Sequence, residues 1–199
     1  TRQNLVTGLA FSPHFKDDRR VIATTYSGGG FYTSADSGST WALGSPVGWE
    51  EVIDKGQLSS FDVDFVQNHA GTPVAVATAN HSKLGFSNDY GENWNVLSIP
   101  QFPDIAVGDV YVNVFALSPN FDIDQEIYLG SRTQGVLQTT DGGISWRTTG
   151  EVAANKDISS IAVSPNYAKD KTAFAANIWG EVWRTQNGGD NWSRIGSDS

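Results

Sequence analysis

The stretch "TTDGGISW", residues 139–146, places a threonine, an aspartate, two glycines and a tryptophan within eight positions. The chain writes this octet four times, as "SADSGSTW" at 34–41, "SNDYGENW" at 87–94, "TTDGGISW" at 139–146 and "TQNGGDNW" at 185–192. Its tryptophans, Trp41, Trp94, Trp146 and Trp192, follow one another at steps of 53, 52 and 46 residues. A period of that length means stacked supersecondary units that share one continuous core.

The rest of the unit repeats as well. Upstream stand "AFSPHFKDD" from Ala10, "ALSPNFDID" from Ala116 and "AVSPNYAKD" from Ala162, each with an aspartate six residues after the serine. Between these marks lie short runs rich in β-branched and aromatic residues, such as "VNVFALSP", "EIYLGSR" and "GVLQTT", bounded by Gly, Pro, Asn or Asp. Such runs read as strands, and no helical periodicity of useful length competes with them. The expected fold is all-β: four consecutive four-stranded antiparallel propeller blades, with the octet turning the chain between strands 3 and 4. The blades are expected at about 1–48, 56–100, 108–152 and 156–199, within a single propeller region over 1–199.

The octet has a scaffolding role on this reading. Its aspartate accepts backbone N–H bonds across a tight turn, its glycine supplies a positive φ, and its tryptophan buries a ring between neighbouring sheets. The positions concerned are Ser34, Asp36, Gly38 and Trp41; Ser87, Asp89, Gly91 and Trp94; Thr139, Asp141, Gly143 and Trp146; and Thr185, Asn187, Gly189 and Trp192. On these segments the chain resembles the Asp-box, or BNR, repeat of sialidases, sortilin-type receptors, xyloglucanase-like glycosidases and photosystem II assembly factors. The resemblance implies a β-propeller and, because those families differ in activity, no single function. Asn187 departs from the pattern, and its amide is expected to keep the turn.

Composition narrows the function. The hydrophobic fraction of 39% and aromatic fraction of 12% support a packed domain. No apolar run is long enough to cross a bilayer, so no direct membrane insertion is expected. A net charge of −9, with 13 basic residues scattered among 22 acidic ones, argues against a nucleic-acid surface. The absence of cysteine excludes thiol chemistry, and His14, His69 and His81 stand in unrelated contexts, so no metal or cofactor is expected.

The 2-to-3 turns, "YSGGG", "NHSK", "SRTQ" and "NIWG", share almost nothing, and the linkers from Ser45 and Ser98 are long and aromatic. Tyr26, Trp49, His81, Phe102, Arg132 and Trp179 are therefore expected to form a rim for a protein or glycan ligand. One departure lies inside the repeat. Alignment of the first strands puts Asp64 where other blades have Ala10, Ala116 and Ala162, and Asp62 where they have Gly8, Val114 and Ser160. A carboxylate in such a tight position is expected to be partly buried with a raised pKa, which makes Asp64 a candidate acid; Glu50, Glu51 and Asp104 are its candidate partners for a two-carboxylate glycosidase. The alternative is local distortion that brings both aspartates to solvent. The sialidase reading requires an arginine triad, and of the seven arginines only Arg132 is expected on the rim.

The leading expectation is thus a non-enzymatic protein-binding or assembly module, secreted, periplasmic or at the cell surface, with no catalytic set. A fragment of a glycan-active enzyme or a carbohydrate-binding propeller is the competing one. Three arrangements of the blades stay open, in this order: an excerpt of a longer propeller, half of a ring completed by a second copy or similar partner, and a closed four-bladed ring.

Overall fold

Among the described residues four four-stranded sheets form, and within each sheet every strand pairs antiparallel with its neighbours in sequence. The first holds β1 (Leu5–Phe11), β2 (Val21–Tyr26), β3 (Phe31–Ser34) and β4 (Ala42–Leu43), and the second holds β5 (Ser60–Gln67), β6 (Pro73–Ala79), β7 (Lys83–Ser87) and β8 (Asn95–Ser98). The third holds β9 (Val112–Leu117), β10 (Ile127–Ser131), β11 (Gly135–Thr139) and β12 (Arg147–Thr148), and the fourth holds β13 (Ile158–Val163), β14 (Ala173–Asn177), β15 (Val182–Thr185) and β16 (Ser193–Ile195). The computed structural model describes residues 5–26, 30–44, 47–50, 60–68, 70–79, 82–100, 112–149 and 157–196. Two compact units divide the chain, Thr1–Ser98 with the first two sheets and Ile99–Ser199 with the last two.

The octets make the 3-to-4 turns with one bonding scheme. The Ser87 hydroxyl donates to Asp89 Oδ1 at 2.7 Å and accepts the Gly91 N–H at 2.8 Å, while Asp89 Oδ1 accepts the Asn93 N–H at 2.9 Å. The glycine has φ 85, 90, 96 and 84° at Gly38, Gly91, Gly143 and Gly189, a conformation in which a Cβ is strained. In the fourth turn Asn187 Oδ1 accepts from Thr185 Oγ1 at 2.9 Å and from the Asn191 N–H at 3.0 Å, so the amide does what the carboxylates do elsewhere.

The Ser-Pro segments form single helical turns, α1 (Phe15–Asp18), α2 (Phe121–Asp124) and α3 (Tyr167–Asp170), where the sequence pattern predicts plain turns. The six-residue spacing explains them. Ser118 Oγ donates to Asp124 Oδ2 at 2.6 Å and Ser164 Oγ to Asp170 Oδ2 at 2.7 Å, closing each helical turn; the second oxygen of each aspartate accepts the N–H that starts the next strand, Glu126 at 3.1 Å and Thr172 at 2.9 Å. The second sheet lacks this device and turns on Asn68, whose Oδ1 accepts the Thr72 N–H at 2.8 Å.

Strand register fixes which residues are equivalent. Ala10, Asp64, Ala116 and Ala162 pair with Ile22, Val76, Tyr128 and Phe174, so the four positions coincide as the sequence alignment expects. Each first strand also carries one bulge at the same place, with the extra residue at Thr7, position 61, Asn113 and Ser159. The bulge aims a side chain at the following sheet. Thr7 Oγ1 donates to the Ser60 carbonyl at 2.8 Å, and Asn113 Nδ2 donates to the Ile158 carbonyl at 3.4 Å.

In the first unit the octet tryptophan of the second sheet lies on the first sheet. Trp94 stacks on Phe31 at 4.7 Å between centroids, and Trp49 packs against Phe31 at 5.5 Å and Trp94 at 5.7 Å. Trp49 is fully buried, which corrects its placement on a ligand rim. The cause is Gly85: any Cβ there would sit 2.3 Å from the indole, so the missing side chain makes the space that the ring fills. In the second unit Trp192 meets Tyr128 edge to face at 6.1 Å and donates its Nε1–H to Thr149 Oγ1 at 3.1 Å. The expected burial of the octet rings thus fits Trp94 and Trp192, whereas Trp146 is half-buried and Trp41 is 42% exposed.

Candidate binding surface

Each 3-to-4 turn lies at the same end of its sheet as the 1-to-2 turn, and the 2-to-3 turn at the other end, because successive strands run antiparallel. In the second unit that other end carries Arg132, between β10 and β11, and Ile178 and Trp179, between β14 and β15. Ile178 is 58% exposed and Trp179 is 63% exposed.

The backbone beneath these side chains is tied down. Asn177 Oδ1 accepts the Trp179 N–H at 3.1 Å and the Glu181 N–H at 2.9 Å, and its Nδ2 donates to Glu181 Oε2 at 2.8 Å. Asparagine suits this position because its short side chain can bridge its own turn. Glu181 also meets Arg194 at 3.3 Å. The Ile178 N–H donates to the Asp157 carbonyl at 3.1 Å.

Asp157 joins the two sheets at this edge. Its Oδ1 accepts from Asn113 Nδ2 at 3.0 Å, and its Oδ2 lies 3.5 Å from Arg132 Nε. The Arg132 side chain remains 66% exposed, so the pair contributes about 1 kcal/mol or less to stability and leaves the guanidinium open to solvent. An exposed indole on a braced turn, next to an isoleucine in sequence and linked through Asp157 to an arginine of the neighbouring sheet, combines the residue types that anchor protein interfaces at low ordering cost.

Of the other residues expected on the rim, Tyr26 is exposed at the end of β2, in the first unit. His81 and Phe102 lie outside the described residues, and Trp49 belongs to the core. The structure brings Arg132 and Trp179 into one unit and adds Ile178, Asp157 and Asn177, which the sequence reading missed. The string "NIWGE" held the signal: an asparagine four residues before a glutamate, flanking two large apolar residues.

Asp64 is exposed, as the alternative within the sequence reading expected, while Asp62 is half-buried. Crowding by nearby protein atoms raises its carboxyl above the ordinary value, and the Phe65 N–H at 2.7 Å pulls it back. Asp62 bonds the Val63 N–H at 3.0 Å in the same way. The strand keeps its register through both residues, so local distortion does not account for the exposure. Glu50 accepts the Gly48 N–H of its own loop at 2.8 Å, while Glu51 and Asp104 lie outside the described residues. Among the described residues no three His, Cys, Asp or Glu side chains gather to hold a metal.

No protein-family model and no curated protein matches the sequence. Solved structures do. YCF48 from Cyanidioschyzon merolae aligns at 17% identity and TM-score 0.65 over 98% of this chain and 57% of its own. YCF48 bound to D1 peptide aligns at 14% identity and TM-score 0.59 over 96% of this chain and 53% of its own. Raptor from Chaetomium thermophilum aligns at 8% identity and TM-score 0.62 over 94% of this chain and 16% of its own. The chain therefore spans little more than half the length of the YCF48 structures. These likenesses establish the fold: the four sheets are β-propeller blades.

Proposed function

We propose that the chain is a non-enzymatic protein-binding module, a propeller region over 1–199 built of Asp-box blades, that holds an extended peptide segment of a partner at the Arg132–Trp179 edge. The observation that carries this reading is Trp179, a large aromatic side chain projecting into solvent from a turn whose backbone is braced by Asn177. Its neighbours supply an apolar side chain, Ile178, and a guanidinium that can take a carboxylate or a peptide carbonyl, Arg132. A propeller of the same fold, YCF48, has been solved with a bound D1 peptide, which supports a peptide as the class of ligand. A place outside the cytoplasm or at the cell surface belongs to the same proposal and rests on the Asp-box resemblance.

The test is a peptide selection from a random phage-displayed library on the immobilised chain, followed by calorimetry. Selected peptides are expected to bind, and Trp179→Ala is expected to weaken them at least tenfold, about 1.4 kcal/mol. Peptides that bind the Trp179→Ala variant equally well would move the site elsewhere.

The glycan-active reading has one observation in its favour, the raised Asp64 carboxyl on an exposed strand. Steady glycoside turnover that disappears in Asp64→Asn would replace the binding proposal with an enzymatic one.

A further inference from the structure

The fourth octet carries an amide where the other three carry a carboxylate, and its turn is short of a bond for that reason. In the other octets the second carboxylate oxygen takes a bond from the side chain four residues on: Thr40 Oγ1 to Asp36 Oδ2 at 2.6 Å, Asn93 Nδ2 to Asp89 Oδ2 at 2.7 Å and Ser145 Oγ to Asp141 Oδ2 at 2.5 Å. Asn187 reproduces the bonds to Oδ1 and presents Nδ2, a donor, in place of the second acceptor. The residue four on is Asn191, of the same type as Asn93, and its side chain makes no hydrogen bond among the described residues. Position 191 thus holds the partner that an aspartate at 187 would use.

The same turn carries the means of making that aspartate. Asn187 is exposed and is followed by Gly188, the one Asn-Gly pair in the chain. Glycine puts no side chain in the way of its own amide nitrogen, so this nitrogen can reach the carbonyl carbon of the Asn187 side chain. In the closed turn the Gly188 N–H donates to the Lys171 carbonyl at 3.1 Å, which holds the nucleophile back until the turn opens.

We infer that Asn187 is a self-modifying site, converted to aspartate by loss of ammonia with water as co-reactant. The Gly188 nitrogen gives up its proton and bonds to Cγ of Asn187, the Cγ–Nδ2 bond breaks, and ammonia leaves with a proton. Water then opens the cyclic imide. Its hydroxyl goes to Cγ, giving aspartate, or to the backbone carbonyl carbon, giving isoaspartate, and its proton returns to the Gly188 nitrogen. Both products can re-enter the imide, so the form that the turn holds best accumulates. Isoaspartate adds a methylene to the backbone between Thr185 and Gly189, whose side-chain-to-N–H bond is 2.9 Å in the present turn. Aspartate keeps that bond, keeps the two to Oδ1 and gains the one from Asn191 Nδ2. Arg147, which donates to the Gly188 carbonyl at 3.1 Å and to Asp190 Oδ1 at 2.9 Å, holds the turn closed around the product. The conversion completes the fourth octet after the chain has folded. It does not depend on the peptide site, which lies at the other end of the sheet.

Peptide mapping by mass spectrometry of the folded chain, stored at mildly alkaline pH, tests the inference. Amide-to-acid conversion is expected at 187 ahead of every other asparagine, and more slowly than in urea. Labelling with an isoaspartyl methyltransferase is expected to show mainly aspartate in the folded chain. Gly188→Ser copies Ser37 of the first octet, which has φ 64° against 67° at Gly188, and a Cβ there meets nothing nearer than the Tyr167 hydroxyl at 3.5 Å. This variant is expected to keep the amide at 187 over the same time with unchanged circular dichroism. Asn187→Asp is expected to raise amide-exchange protection at Asn191 roughly fivefold, as one further hydrogen bond implies. An Asn187 that stays an amide in the folded chain long after the urea-unfolded chain has converted overturns the inference. So does a folded-chain product that is mainly isoaspartate, or an Asn187→Asp chain whose Asn191 is protected no better than the native one.

Discussion

The seam between the first and second sheets and the seam between the third and fourth follow one backbone plan, yet their fillings differ in kind. The first is aromatic and dry: Phe31, Trp49 and Trp94 share a cluster with Ala75, Ala77 and Ala79. The second is polar at its heart. Glu126, buried, accepts from Tyr128 at 3.2 Å, from Tyr167 and from Gln138, while Lys171 lies 3.4 Å from its other oxygen; the two phenol oxygens are 2.6 Å apart. The contrast shows that the repeat specifies strands, bulges and turns and leaves the seam free to vary. It also assigns the two units different weaknesses, because a dry seam fails through lost volume and a polar one through lost partners.

The largest effect is expected at the dry seam. Trp49→Ala removes a fully buried indole that the missing Gly85 side chain accommodates, and a loss of about 3–5 kcal/mol is expected in the first unit. Urea unfolding followed by residue-resolved amide exchange checks it, and protection of the second unit should persist.

Next comes the polar seam. Glu126→Ala leaves two phenols, an amide and an ammonium without their common acceptor, and a loss of about 2–4 kcal/mol is expected in the second unit. Alkali sharpens the same contrast. Burial raises both the Tyr128 and Tyr167 phenols above their ordinary value of 10.0. Stability from a raised group is complete below the unfolded value and is lost as pH rises through the folded one. The second unit, with two raised phenols against the first unit's Tyr90, should therefore lose more stability above pH 10 than the first, as read by ultraviolet phenolate absorbance alongside amide exchange.

A smaller effect separates the third turn from the fourth. Hydrogen bonds from the Ser145 hydroxyl and N–H hold the Asp141 carboxyl at about 2 against an ordinary 3.8. A lowered carboxyl contributes stability above its unfolded value and loses it as pH falls through its folded one, so the third turn should weaken between about pH 4 and 2. Asn187 carries no titratable proton in that range. Amide protection at Ser145 should fall on acidification while that at Asn191 persists.

The octet made the fold legible because its residues answer to local backbone needs, which a single sequence displays. The Ser-to-Asp spacing was legible for the same reason, although its product, one helical turn closed by a hydroxyl and a carboxylate, was not. The alignment of Asp64 with Ala10, Ala116 and Ala162 was also readable, since strand register preserves it. Trp49 was misread because its place depends on Gly85, a glycine 36 residues away that no local pattern links to it. Glu126 went unnoticed for a related reason: its partners come from α3 and the residue after it and from β11, as well as from β10, the strand that it precedes. Tyr128, standing where other sheets have Ile22, Val76 and Phe174, was the visible trace of that polar seam. Arg132 and Trp179 were found through loop variability, which marks a surface without saying which of its residues meet.

The smallest structural effect is expected where the functional one is greatest. Trp179→Ala should change stability by no more than about 0.5 kcal/mol, because the side chain is exposed and the Asn177 bonds to the turn are made by backbone groups. The most direct measurement of the central claim is therefore a two-dimensional nitrogen–proton spectrum of the labelled chain, titrated with a selected peptide. The account predicts shifts at Arg132, Asp157 and Ile178 through Glu181, with the octet amides unmoved. Shifts concentrated at the octet end of the sheets, with those signals still, would contradict it.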